Sequence, residues 1–143
     1  MKITSEMLSA INKPCAEGLA WFNDQKVKTP KGLLKAAEKD EQKLQWCNWG
    51  VARLLRREDQ IRYAIYAARK VLHIYEEKYP NDDRPKRAID AAEKYLNEPT
   101  EENKKTADAA YAAAYAAAWA ADAEMKIDII SYGIKLLEEQ NEN

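Results

Sequence analysis

Between Tyr111 and Ala121 the chain reads YAAAYAAAWAA, with a ring at every fourth position and only alanine between. No other feature restricts the fold so tightly. Alanine is the strongest helix former, and side chains four apart share a helix face. The segment is therefore expected to be a helix, with Tyr111, Tyr115 and Trp119 forming a slowly drifting ladder along it. It is nearly apolar all round from Ala109 to Ala121, so it should be covered on more than one side. Small side chains let neighbouring backbones come close while the rings fill the gaps. The segment is thus expected to be a central rod with the other helices packed over it.

The rest of the chain points the same way. Only four of 143 residues are glycine, no run of β-branched residues alternates, and good helix formers dominate. Pro14 precedes a helix. Thr29 reads as an N-cap with Pro30 at the first helical position, and Asp83 or Arg84 before Pro85 repeats the device. Thr100 caps another helix, with Glu101 and Glu102 against the positive end of its dipole. These signals predict helices over about 4–11, 15–24, 30–56 (weakest near Asp40), 59–79, 85–97, 101–122 and 125–139. Short links favour sequential helices as antiparallel neighbours. The expected fold is all-α, a single-domain bundle of six or seven helices around the alanine-rich one.

Within Ile61–Tyr79, winding at 100° per residue gathers Ile61, Ala64, Ile65, Ala68, Leu72, Tyr75 and Tyr79 on one face, with Val71 at its edge. Arg62, Tyr66, Arg69, His73 and Glu76 fall opposite. Ile127, Ile130, Ile134 and Leu137 give the last helix a similar stripe. Trp46 and Trp49, three apart, face one way; Trp21 and Phe22, being adjacent, are expected not to share a core. A ring left outside would mark a contact surface.

Net charge is −1 but uneven. Residues 1–96 hold 19 Lys and Arg against 14 Asp and Glu, while residues 97–143 hold 4 against 10. Such asymmetry can steer a charged partner, yet it falls short of the basic footprint of a nucleic-acid binder. No window reaches the roughly 18 consecutive apolar residues of a membrane span. The opening MKITSEMLSAINK has no secretory apolar run, so a cytoplasmic setting is expected. Cys15 and Cys47 match no zinc spacing, and both are expected to be buried free thiols.

Three constellations carry chemistry. RLLRREDQIR gathers Arg53, Arg56, Arg57 and Arg62 around Glu58 and Asp59. It reads either as a self-neutralising helix junction or as a surface for phosphate or an acidic partner. Beside Tyr63 and Tyr66 it suits a protein interface, where Arg and Tyr are enriched. His73, the only histidine, shares a polar face with Arg62, Tyr66 and Arg69 and has no catalytic partner at helical spacing. NDDRP lacks the glycine and terminal glutamate of a calcium loop. It reads as a turn in which Asn81 and Asp82 bond backbone, Asp83 caps and Arg84 pairs with a nearby acid. An Arg84 buried beneath the alanine helix would instead hold two helices in register. No phosphate cradle, HExxH or GxSxG occurs. No catalytic residue, metal ligand or cofactor is therefore assigned.

Tyr79–Leu96, YPNDDRPKRAIDAAEKYL, together with the alanine-rich stretch and ISYGIKLL (Ile130–Leu137), resembles the putative immunity protein family. These are small all-helical bacterial proteins of toxin–immunity systems. The similarity runs from about LQWCNWGVARLL to the C-terminus. Its most specific part is P-x-D-x-R-P-x-x-A-I, matched by Pro80, Asp82, Arg84, Pro85, Ala88 and Ile89. After Trp119, WAADAEMKIDII replaces a histidine-bearing stretch of the family, so no role of those histidines carries over. PCAEGLAWF (Pro14–Phe22) is similar to a short segment of small phage-encoded and uncharacterised bacterial proteins. The resemblance implies an N-terminal helical segment, 1–28, followed by an immunity-type bundle, 29–143.

The function it implies is non-catalytic: capture of a partner protein, a toxin or defence component, from a prophage or mobile element. The acidic C-terminal part would cover a basic cleft. Arg53, Arg56, Arg57, Arg62, Tyr66, Arg69 and His73 are the candidate partner-binding residues. The alternative is a phage counter-defence protein, an inhibitor or a sponge in which the same residues hold a signalling nucleotide between protomers of an oligomer.

Overall fold

In a computed structural model, residues 1–10, 12–106 and 122–142 are described, and all their regular structure is helical. The alanine-rich segment expected as a central rod, with Tyr111, Tyr115 and Trp119, lies outside the described residues. The chain divides into two compact units, Met1–Arg56 with Ile130–Asn143, and Arg57–Ile129.

The first unit begins with α1 (Ser5–Ser9), α2 (Ala16–Asp24), α3 (Pro30–Ala37) and α4 (Glu41–Leu54). Each starts on a side-chain cap that satisfies an otherwise orphaned backbone N–H. Thr29 Oγ1 accepts from Gly32 N at 3.2 Å ahead of Pro30. Asp40 breaks the long segment expected over 30–56 by accepting from Lys43 N at 3.1 Å through its Oδ1. The weak point is thus a helix boundary.

Ile3, Leu8, Phe22 and Leu33 form one core cluster of this unit, with Leu19, Trp21, Cys47, Trp49 and Leu54 packed against it. Trp21 and Phe22 therefore do share a core, contrary to expectation. Phe22 is inserted while Trp21 lies at the edge, tilted onto the Trp46 ring with centroids 5.9 Å apart. A broad indole reaches round a helix shoulder that a shorter side chain cannot. Cys15 also departs from expectation. It is exposed, because its Sγ serves as the N-cap of α2, accepting from Gly18 N at 3.3 Å. Cys47 is half-buried, and burial pushes its thiol up to about 12.

The last helix, α7 (Ala123–Glu142), starts on Asp122, whose Oδ1 accepts from Met125 N at 2.8 Å. Ile130, Ile134 and Leu137 are buried as expected, joined by Ile129 and Leu136. Gln140 closes the end of α4. Its Nε2 donates to Leu54 O at 3.1 Å and its Oε1 accepts from Arg56 N at 2.8 Å.

In the second unit α5 (Arg57–Lys78) and α6 (Arg84–Asn97) form an antiparallel hairpin. Ile61 and Ala92 are its buried centre, flanked by Ile65, Ala88, Tyr95 and Leu96. Ala64, Ala68 and Val71 are buried as the periodicity predicts, and Tyr63 and Ala67 widen the stripe. Residues 101–106 are helical behind Thr100, whose Oγ1 accepts from Asn103 N at 3.2 Å.

Candidate partner-binding surface

The polar face of α5 is laced to its neighbours within the second unit. Arg62 pairs with the buried Asp59 at 2.8 Å, one turn back. Arg69 pairs with Glu93 of α6. Lys70 Nζ lies 2.7 Å from Asp128 Oδ2 at the start of α7, and Tyr66 donates its hydroxyl to the same oxygen at 3.2 Å. Lys70 also sits over the Tyr66 ring, 5.3 Å from its centroid. The bond to Asp128 raises the Lys70 ammonium, and the same bond lowers the Asp128 carboxyl.

The candidate residues fall in both units. Arg53 and Arg56 belong to the first unit, and Arg57, Arg62, Tyr66, Arg69 and His73 to the second. Arg53 lies over the Trp49 ring at 5.6 Å, with its Nε enclosed and lacking a hydrogen-bond partner. Tyr63 is buried and cannot join an interface there. His73 is exposed. Among the described residues, no group of three or more His, Cys, Asp or Glu could hold a metal ion.

A tighter arrangement sits at the turn between α5 and α6. Asp82 accepts from Tyr75 Oη at 2.5 Å through Oδ2 and from the Arg84 backbone N at 3.1 Å through Oδ1. The Arg84 guanidinium closes on the same carboxylate as a fork, Nε to Oδ1 at 2.9 Å and Nη2 to Oδ2 at 2.6 Å. Asp82 N donates back to Tyr79 O at 3.1 Å, and the Tyr75 and Tyr79 rings lie 5.0 Å apart.

The turn reading of NDDRP holds in part. Asp82 supplies a side-chain-to-backbone bond as expected, in an Asx turn whose carboxylate accepts from the N–H two residues on. Asp83 occupies the N-cap position of α6 without a side-chain cap bond and pairs with Arg87 at 3.1 Å. Arg84 is 76% exposed, so it is not a buried clamp between helices. Tyr79, expected on the apolar face, is 47% exposed. It directly follows the last residue of α5.

Electrostatics follow from these bonds. Arg84, then Tyr75, hold the Asp82 carboxyl well below the usual carboxylate range, and its proximity raises the Tyr75 phenol. A carboxyl lowered in the folded state stabilises above its unfolded value near 3.9 and loses that contribution as pH falls through the folded value. Asp82→Asn is therefore expected to melt below the wild type at pH 7. The gap should narrow as acid titration proceeds below about pH 4. Thermal melts from pH 7 to pH 2 check this; a gap constant across that range would contradict it.

The family model described as Imm-5 like putative immunity protein matches residues 52–101. The matched stretch runs from the end of α4 through α5, the turn and α6, and includes Pro80, Asp82, Arg84, Pro85, Ala88 and Ile89. It is narrower than the similarity expected from the sequence, which extended to the C-terminus. No curated protein and no solved structure matches the chain.

Sequence reasoning missed Glu93 and Asp128 as anchors of the α5 face. Only the helix pairing brings them within reach, although their charge opposite Arg69 and Lys70 was visible. It also missed the Tyr75–Asp82 bond. A tyrosine in the last turn of a helix followed by an acid in the next turn is the pattern that would find it. No described helix is long and apolar enough to cross a membrane.

Proposed function

We propose that this chain is a non-catalytic binding protein that neutralises a partner protein, in the manner of an immunity protein. The observation that carries the reading is the family match over residues 52–101, which falls on one coherent structural piece, the α5–α6 hairpin. The hairpin is braced by the Arg69–Glu93 pair and by the three-residue network at its turn. A braced surface suits inhibition by occlusion, since a preorganised binder gives up less conformational freedom on docking. A nucleotide-capturing role needs unengaged guanidinium groups on the α5 face, and Arg62 and Arg69 there already face Asp59 and Glu93. The partner is a toxin encoded beside this gene.

Co-expression provides the test. The product of the adjacent gene, induced alone, is expected to arrest growth; induced with this chain, it is expected to be harmless and to co-purify with it. Continued arrest in the presence of the folded chain, or no complex between the two, would rule the reading out.

A further inference from the structure

We propose that the α5–α6 turn is the element that reads the partner, with Arg84 engaging a carboxylate on the partner protein and Tyr79 packing beside it as the apolar anchor. This rests on the partner-neutralising reading above and adds a place and a chemistry to it.

Arg84 combines two properties that seldom occur together. Its side chain is 76% exposed, yet its Nε and Nη2 edge is fixed by both oxygens of Asp82. An unrestrained surface arginine loses much rotamer freedom when a partner immobilises it, whereas a held guanidinium has lost that freedom already. A guanidinium carries five N–H donors in a planar fork, so a clamp on one edge still leaves donors presented to solvent. Their planar geometry fits a carboxylate.

Tyr79 supplies the complementary half. The residue is 47% exposed and follows directly on α5, and its ring lies 5.0 Å from that of Tyr75 with Lys78 Nζ 5.5 Å from its centroid. Tyr75 ties the two halves together, since its hydroxyl bonds the carboxylate that holds Arg84. Tyr and Arg are the residue types in which interface hot spots are enriched.

Charge selects the partner's chemistry. Residues 78–87 include Lys78, Arg84, Lys86 and Arg87 against Asp82 and Asp83, an excess of two positive charges. Both carboxylates are already held, Asp82 by Arg84 and Asp83 by Arg87. Those pairs offset Arg84 and Arg87, so the excess is carried by Lys78 and Lys86, which add to the remaining Arg84 donors in favouring an acidic surface. The α5 arginines are less presented: the Arg62 and Arg69 side chains are 45% and 46% exposed, against 76% for Arg84.

The test uses the full chain and the toxin identified by co-expression, with affinity measured by calorimetry. Arg84→Ala and Tyr79→Ala are each expected to weaken binding by about 30-fold or more, the loss typical of a hot-spot truncation. Lys39→Ala, at an exposed site far along the chain, serves as the reference. Arg62→Ala and Arg69→Ala are expected to cost less than either turn variant. Circular dichroism confirms that each variant is folded; for any that is not, Arg84→Gln and Tyr79→Ser take its place. In a double-mutant cycle, one Asp or Glu of the toxin is expected to couple to Arg84. A wild type that binds while both turn variants stay within twofold of it would overturn this inference and leave the proposed function standing. So would a dominant loss at Arg62 or Arg69, or a cycle in which no toxin carboxylate couples to Arg84. A wild type that neither binds nor rescues would overturn both.

Discussion

Ile61→Ala is expected to destabilise the protein by about 3–4 kcal/mol, in the middle of the range for deleting a buried aliphatic side chain. Ile61 is 1% exposed and sits at the centre of the α5–α6 interface. The cost of such a deletion depends on how far the surroundings collapse into the void. Here two neighbours are Ala88 and Ala92, which have no atoms beyond Cβ to swing inward. The cavity should therefore persist, and the melting temperature should fall by roughly 10 °C. Ile61→Val, which removes one methylene, is expected to cost about 1 kcal/mol. Equal losses for the two variants in chemical denaturation would contradict the packing account.

Gly18→Leu is expected to cost about 3 kcal/mol by the opposite route, overfilling. Gly18 is buried in α2, and a β-carbon there would meet Cys15 Sγ at 3.0 Å and the Trp46 ring at 3.1 and 3.2 Å. Alanine alone would press the indole outward by a few tenths of an ångström, an expense that the gain in helix propensity of about 1 kcal/mol partly offsets. Leucine adds three more carbons along the same line. It would displace Trp46 from Trp21 and crowd the Cys15 sulfur off the Gly18 N–H. Gly18→Ala within about 1 kcal/mol of the wild type, with Gly18→Leu far below it, is the signature to seek in thermal melts.

The helices were legible because their punctuation is local. Thr29, Asp40 and Thr100 each form a cap by reaching an N–H three residues on, which depends on nothing distant. The buried stripe of α5 was legible for the same reason, since periodicity alone places Ile61, Ala64 and Ala68. What escaped the sequence depends on neighbours. Cys15 looked like a core thiol until its sulfur took the cap of α2. Tyr79 fits the apolar stripe by angle but lies just past the last residue of α5 and is exposed. Asp83 reads as a cap, but its side chain makes no cap bond and pairs with Arg87 instead. The α5 arginines looked like a patch because Glu93, which engages Arg69, comes from α6, whereas Asp59, which engages Arg62, was visible one turn back. The motif Asp82–Arg84–Pro85 was visible throughout, but its link to Tyr75 was not.

The Trp21–Trp46 pair also gives the molecule a built-in optical label. Of the four indoles, Trp21, Trp46 and Trp49 lie within residues 1–56, with Trp119 the exception, whereas seven of the eight phenols lie within residues 57–129. Red-edge excitation therefore follows mainly the first unit and phenol absorbance mainly the second. A single unfolding experiment can thus read the two halves in separate colours without any dye.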